Sequence, residues 1–185
     1  MAYNQKIIKC DLSVEGVEKA IRQLDRYKKR FEKCHEKLVR ELAQKGYDVV
    51  EGILSIVPAD EINYDPPTLK KSRIVASKDG VTASITLSGE QALAVEFGTG
   101  VKFNGPIGTS RNKHGKELGW TIGSGSYGNW AGKEHADDPQ GWSYMDKNGE
   151  FQHTYGHVAY QPMTQAELAI VSEVINIAKS VYGGL

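Results

Sequence analysis

Four of the five histidines, His114, His135, His153 and His157, fall within one quarter of this 185-residue chain, close to Asp137 and Asp138. Imidazoles and carboxylates together can ligate zinc and activate a water for hydrolysis. The spacing does not complete such a site. His153 and His157 are four apart, which shares a face only on a helix, and Tyr155-Gly156 between them reads as strand and turn. No glutamate follows His153 to make the helical metalloprotease pattern. These histidines read as a cluster in a polar loop, and no metal is expected.

Gly123-Ser-Gly125-Ser-Tyr-Gly128 has the letters of a dinucleotide fingerprint. That fingerprint works by aiming a helix N-terminus at a pyrophosphate. The residues that follow include Gly132, Asp137, Asp138 and Pro139, which do not make a helix, and no βαβ unit surrounds them. There is no P-loop lysine motif and no G-x-S-x-G elbow. Glu96, Asp137, Asp138 and Asp146 form no pair that spacing can define. The expectation is a protein that is not an enzyme and carries no cofactor. The rival from another class is a metal-dependent hydrolase built on the histidine-rich insertion.

The aromatic residues Trp120, Tyr127, Trp130, Trp142, Tyr144, Phe151, Tyr155 and Tyr160 sit among glycines. They fit a satellite core capping a sheet, and they are also types enriched at protein–protein interfaces. Both readings stay open from composition alone.

Four segments would position these residues in an α+β domain spanning 1–185. Residues 13–57 carry apolar side chains at steps of three and four, with Lys and Arg between them, predicting one long amphipathic helix. Pro58 closes it. Residues 70–97 read as a β-meander: Ser72–Ser77 and Val81–Ser88 alternate around Lys78-Asp79-Gly80, a hairpin signal, and Ala92–Phe97 is the third strand. Residues 98–156 form an inserted segment holding thirteen of the twenty glycines and all three tryptophans. Within it, Trp142–Met145 and Phe151–Tyr155 make a second hairpin around Lys147-Asn148-Gly149, and 104–136 reads as a mobile or partner-ordered arm. A helix over 162–182 opens at Pro162 and closes at Gly183-Gly184. The whole is an antiparallel sheet of four or more strands flanked by the long N-terminal helix and the C-terminal helix.

Lys plus Arg and Asp plus Glu are both 23, so the formal net charge is zero. This balance argues against binding nucleic acid or an anionic membrane by bulk charge. No apolar run approaches a membrane span, and the first ten residues lack the apolar stretch of a secretory signal. Cys10 and Cys34 read as reduced thiols.

At Val95-Glu96-Phe97-Gly98-Thr99-Gly100 the chain resembles the tail-completion, or head–tail joining, proteins of long-tailed bacteriophages. Leu69-Lys-Lys-Ser72 matches the family's Leu-x-x-Ser element, and Gly141-Trp142-Ser143-Tyr144 its Gly-Trp-x-Tyr element. Gly156-His-Val-Ala159-Tyr-Gln-Pro162-Met163 approximates the entry to its last helix. Two positions depart from the pattern. Pro67-Thr68 replaces the usual glycine before Leu69, and Gln161 stands where an arginine is common.

The resemblance implies a structural virion protein, made in the host cytoplasm. It would form a six-fold ring that completes the head-proximal end of the tail, touching the tail tube protein and a head-completion or connector protein. A head-completion component on the portal side is the close alternative. The interface residues it implies are Val95, Glu96, Phe97, Gly98, Thr99, Gly100, Trp120, Trp130, Trp142, Tyr144, Pro162 and Met163. Read as a strand, Val95 and Phe97 enter the core while Glu96 faces away. Glu96 would then meet either solvent or a basic residue of a neighbouring subunit.

Overall fold

Ser13 starts the longest element. Its hydroxyl accepts from the Gly16 amide at 3.0 Å, and Asp11 accepts in turn from the Ser13 amide at 2.9 Å. This N-cap launches α1, Val14–Leu54, a helix of 41 residues. At 1.5 Å per residue it is about 60 Å long. The computed structural model describes residues 8, 11–59, 66–77, 79–89, 91–99, 140–145, 148–156 and 158–183. Its architecture is α+β, with a long N-terminal helix, a long C-terminal helix and small antiparallel sheets.

The strands differ in arrangement from the single sheet of four or more that the sequence predicts. Three two-stranded antiparallel sheets form instead. Strand β1, Thr68–Lys71, pairs with β4, Ile85–Ser88, and between them β2, Val75–Ser77, pairs with β3, Gly80–Thr82. The two pairs are one ribbon interrupted once. Lys71 stands opposite Ile85 and Val75 opposite Thr82, so three residues on one side face two on the other. That is a one-residue bulge, which bends a ribbon and raises its twist. Ser72 bridges the gap: its amide donates to Ser84 O at 2.8 Å, and its hydroxyl accepts from the Ser84 amide at 2.8 Å. The hairpin register pairs Ser77 with Gly80, so Gly80 opens the returning strand.

The expected third strand is a helix. Residues Ala92–Phe97 form α2, and only Leu93 among the six is exposed. A short apolar run with Ala, Leu and Glu satisfies either period, and burial on nearly all sides favours the helical one here.

The second hairpin forms as expected, β5 (Trp142–Met145) against β6 (Phe151–Thr154), with Trp142 opposite Thr154 and Met145 opposite Phe151. The last element is α3, Pro162–Tyr182, 21 residues with Pro at its first turn. It runs antiparallel to α1. The Tyr182 ring lies 5.6 Å from that of Phe31, and Ile170 lies against Gly46. Gly46 is a point of close approach: a β-carbon there would stand 2.6 Å from Ile85 Cδ1 and 2.8 Å from Ile170 Cδ1. Absence of a side chain lets α1, α3 and β4 converge. Val50, Ala43, Val57, Ala166 and Val181 are buried, and α2 adds Ala94, Val95 and Phe97 to the core. Among the described residues, no helix is long and apolar enough to cross a membrane.

Candidate functional site

Helix α3 begins without a capping side chain of its own. Gln161 occupies the N-cap position in the left-handed region, φ 54°, and its side chain makes no cap hydrogen bond. Pro162 at the first position has no amide to satisfy. The amides of Met163 and Thr164 still need acceptors. Glu96 supplies them from α2. Its Oε2 accepts from Met163 N at 2.8 Å, and its Oε1 accepts from Thr164 N at 3.0 Å and from Thr164 Oγ1 at 2.6 Å.

A carboxylate at a helix N-terminus also gains from the helix dipole. Glu96 therefore does across 67 residues of sequence what a local aspartate or serine does at an ordinary N-cap. The side chain is 6% exposed. This corrects the expectation that it faces outward: helical geometry turns it into the chain's own interior, onto α3. With three donors on its two oxygens it acts as a structural clamp.

Backbone contacts close the same junction. Val95 O accepts from Tyr160 N at 2.9 Å, just before α3. Gly98 ends α2 with φ 74° and ψ 168°, and its amide donates to Ala94 O at 2.7 Å. That positive φ admits glycine without strain and turns the chain sharply away from the helix. Val95, Phe97 and Thr99 are each buried to 2% exposure or less, as is Pro162. The element Val95–Thr99 and the start of α3 are thus one packed unit: the chain departs from it at Thr99 and returns to it at Tyr160.

The remaining residues singled out in the sequence divide into two groups. Trp142 and Tyr144 lie in β5, on the hairpin that precedes the return. Gly141 before them has φ 71°, and a β-carbon there would overlap the Thr154 carbonyl across the hairpin. The glycine of the Gly-Trp-x-Tyr element is thus a steric requirement of the pairing. Gly100, Trp120, Trp130, the glycine-rich segment 123–128, His114, His135, Asp137, Asp138, Asp146 and His157 lie outside the described residues. His153 is on β6, with its Nδ1 3.1 Å from Ser143 Oγ and its ring edge-on to Tyr155. Among the described residues, no group of three or more His, Cys, Asp or Glu is arranged to hold a metal.

Sequence reasoning misses Thr164, Tyr160 and Ser72 as partners. One signal pointed to the first: a helix opening with Gln-Pro rather than with a capping residue needs an acceptor from elsewhere.

A second cluster lies at the far end of α3. Tyr182 Oη is 3.0 Å from His35 Nδ1, and the rings of Phe31, His35 and Tyr182 pack together. Burial pushes the Tyr182 phenol above its usual value, and the neighbouring Cys34 thiol adds to the rise.

Compared with protein-family models, with curated proteins and with solved structures, the chain finds no match.

Proposed function

We propose that this chain is a structural subunit of a long-tailed bacteriophage. Copies form a ring, six-fold by resemblance to the tail-completion proteins, that finishes the head-proximal end of the tail and joins it to the head. Binding energy does the work, with no bond made or broken. The partners are further copies of the chain, the tail tube protein and a head-completion or connector protein.

The observation that carries this reading is the closed junction at Glu96. The Val-Glu-Phe-Gly-Thr element and the entry to the last helix, two pieces of the family pattern far apart in sequence, meet through Glu96 and through Val95 O. Ser72 and Gly141, from two further pieces, have specific mechanical duties in their hairpins. The junction gives the glycine- and tryptophan-rich segment between Thr99 and Tyr160 a rigid base. A segment of that composition on such a base suits a subunit that contacts its neighbours, because tryptophan and tyrosine are enriched at protein–protein interfaces.

Electron microscopy of particles from a phage with an early stop codon in this gene tests the reading. Filled heads beside unattached tails of irregular, overlong length are expected. Unattached tails of normal length would move the protein to the portal side of the joint. Intact, joined virions would refute the structural role.

A further inference from the structure

Helix α1 is about twice as long as the helix that covers it. Tyr182, the last residue of α3, sits beside Phe31. The part of α1 from Val14 to Phe31, about 25 Å at 1.5 Å per residue, therefore projects beyond α3. The apolar stripe continues along it. Val14 is 80% exposed, Leu24 55% and Ile21 53%, with Val17 and Tyr27 also exposed and Leu12 fully so just before the helix. With Phe31, these side chains make a row of exposed large apolar residues along one face, the kind of surface that marks an interaction site.

A second unpartnered stripe lies on the outer face of α3. Leu168, Val171 and Ile175, spaced three and four apart, are 58–65% exposed. Val171 also lines a groove of about 390 Å³ between α1, α3 and β4, walled by Leu42, Ile85 and Ile170. The exposed stripe of α3 from Leu168 to Ile175 spans about 10 Å, so it would cover part of the projecting length of α1. The two stripes cannot meet within one chain, because the projection begins where α3 ends. Their charges are complementary. Residues 14–33 carry seven basic and four acidic side chains, whereas α3 carries Glu167 and Glu173 against Lys179 alone.

We propose that the projecting stripe of α1 in one copy packs on the Leu168–Val171–Ile175 stripe of a second copy. The contact is head-to-tail, so it repeats from copy to copy until the rotation closes a ring. It deepens the ring reading and rests on it for the identity of the partner.

Sedimentation velocity of the full chain tests the contact with two double variants. Ile21→Asp with Leu24→Asp spoils one surface, and Val171→Asp with Ile175→Asp spoils the other. All four positions are exposed, and unchanged helical circular dichroism verifies folding. The wild type is expected to form multi-subunit species, and each variant alone to fall to the mass of a single chain. An equimolar mixture of the two variants is expected to give dimers, because one intact pair of surfaces remains between unlike chains. Either variant keeping the wild-type mass, or the mixture staying single-chain, would overturn the contact. So would a wild type that stays single-chain at its highest soluble concentration. None of these touches the ring reading, which the stop-codon particles judge separately. Binding to phosphatidylserine–phosphatidylcholine vesicles, lost only in the α1 variant, would assign the stripe to a lipid surface and overturn the proposal.

Discussion

Glu96 and Thr164 stand 68 positions apart, yet one carboxylate oxygen of Glu96 accepts both the amide of Thr164 at 3.0 Å and its hydroxyl at 2.6 Å. The second oxygen takes the Met163 amide. The helix that closes the chain is therefore capped by a residue from the other side of the 98–161 segment. Removing the carboxylate would leave three donors without their acceptor.

Glu96→Ala is expected to cost about 3 kcal/mol, since each buried donor left unsatisfied is worth about 1–3 kcal/mol and some find water. For a chain of this length that lowers Tm by about 10 °C. Glu96→Gln keeps one acceptor oxygen and should lose about half as much. Thr164→Val removes a single donor and should cost about 1 kcal/mol. A double variant less destabilised than the sum of its parts would confirm that the two residues act together. Strict additivity in thermal or urea unfolding would contradict it.

Two glycines of α1 are expected to respond in opposite directions. A β-carbon at Gly52 meets nothing within 4 Å, so Gly52→Ala should stabilise by about 0.8 kcal/mol through helix propensity alone. At Gly46 the δ-methyls of Ile85 and Ile170 already occupy the space, so Gly46→Val should destabilise by about 2 kcal/mol from overpacking. Urea midpoints of the two variants decide this. A stabilised Gly46→Val would refute the close approach of α1, α3 and β4.

Ser72 should be felt locally. Its hydroxyl accepts the Ser84 amide across the bulge, so Ser72→Ala removes about 1 kcal/mol of local stability. The Ser84 amide should exchange its hydrogen about fivefold faster, a factor that follows from that energy. Unchanged exchange at Ser84 would show that the hydroxyl is not bridging the ribbon.

Tyr182 predicts a loss of stability on the alkaline side. Burial raises its phenol above the usual value and the Cys34 charge adds to this, so the folded chain holds that proton more tightly than the unfolded chain. The contribution is intact below about pH 10, the unfolded value, and is lost as pH rises through the folded one. Tyr182→Phe should flatten the decline of the urea midpoint above about pH 10. Equal slopes in the two proteins would contradict the assignment.

Much of the fold is legible in the sequence where a local signal has a local cause. Ser13 marks the start of α1 because its hydroxyl serves an amide three residues on, and Pro162 marks the start of α3 because proline costs nothing at a first turn. Both hairpins are announced by alternation around turn residues. What stays hidden is what depends on distant partners. Ala92–Phe97 is too short for period to separate strand from helix, and Glu96 changes direction completely between the two. The bulge at Ser72 is invisible because register belongs to a pair of strands. The stripe over 14–31 looks the same in sequence as its continuation under α3, since periodicity does not say where a covering helix ends.

The most direct test of the account is reconstitution. Purified wild-type chain is added to a lysate of the stop-codon phage, and joined particles are counted by electron microscopy alongside infectivity. The account predicts that the wild type restores joined, infectious virions and that the Ile21→Asp, Leu24→Asp variant does not. Heads and tails that are already joined and fully infectious before any protein is added would contradict it.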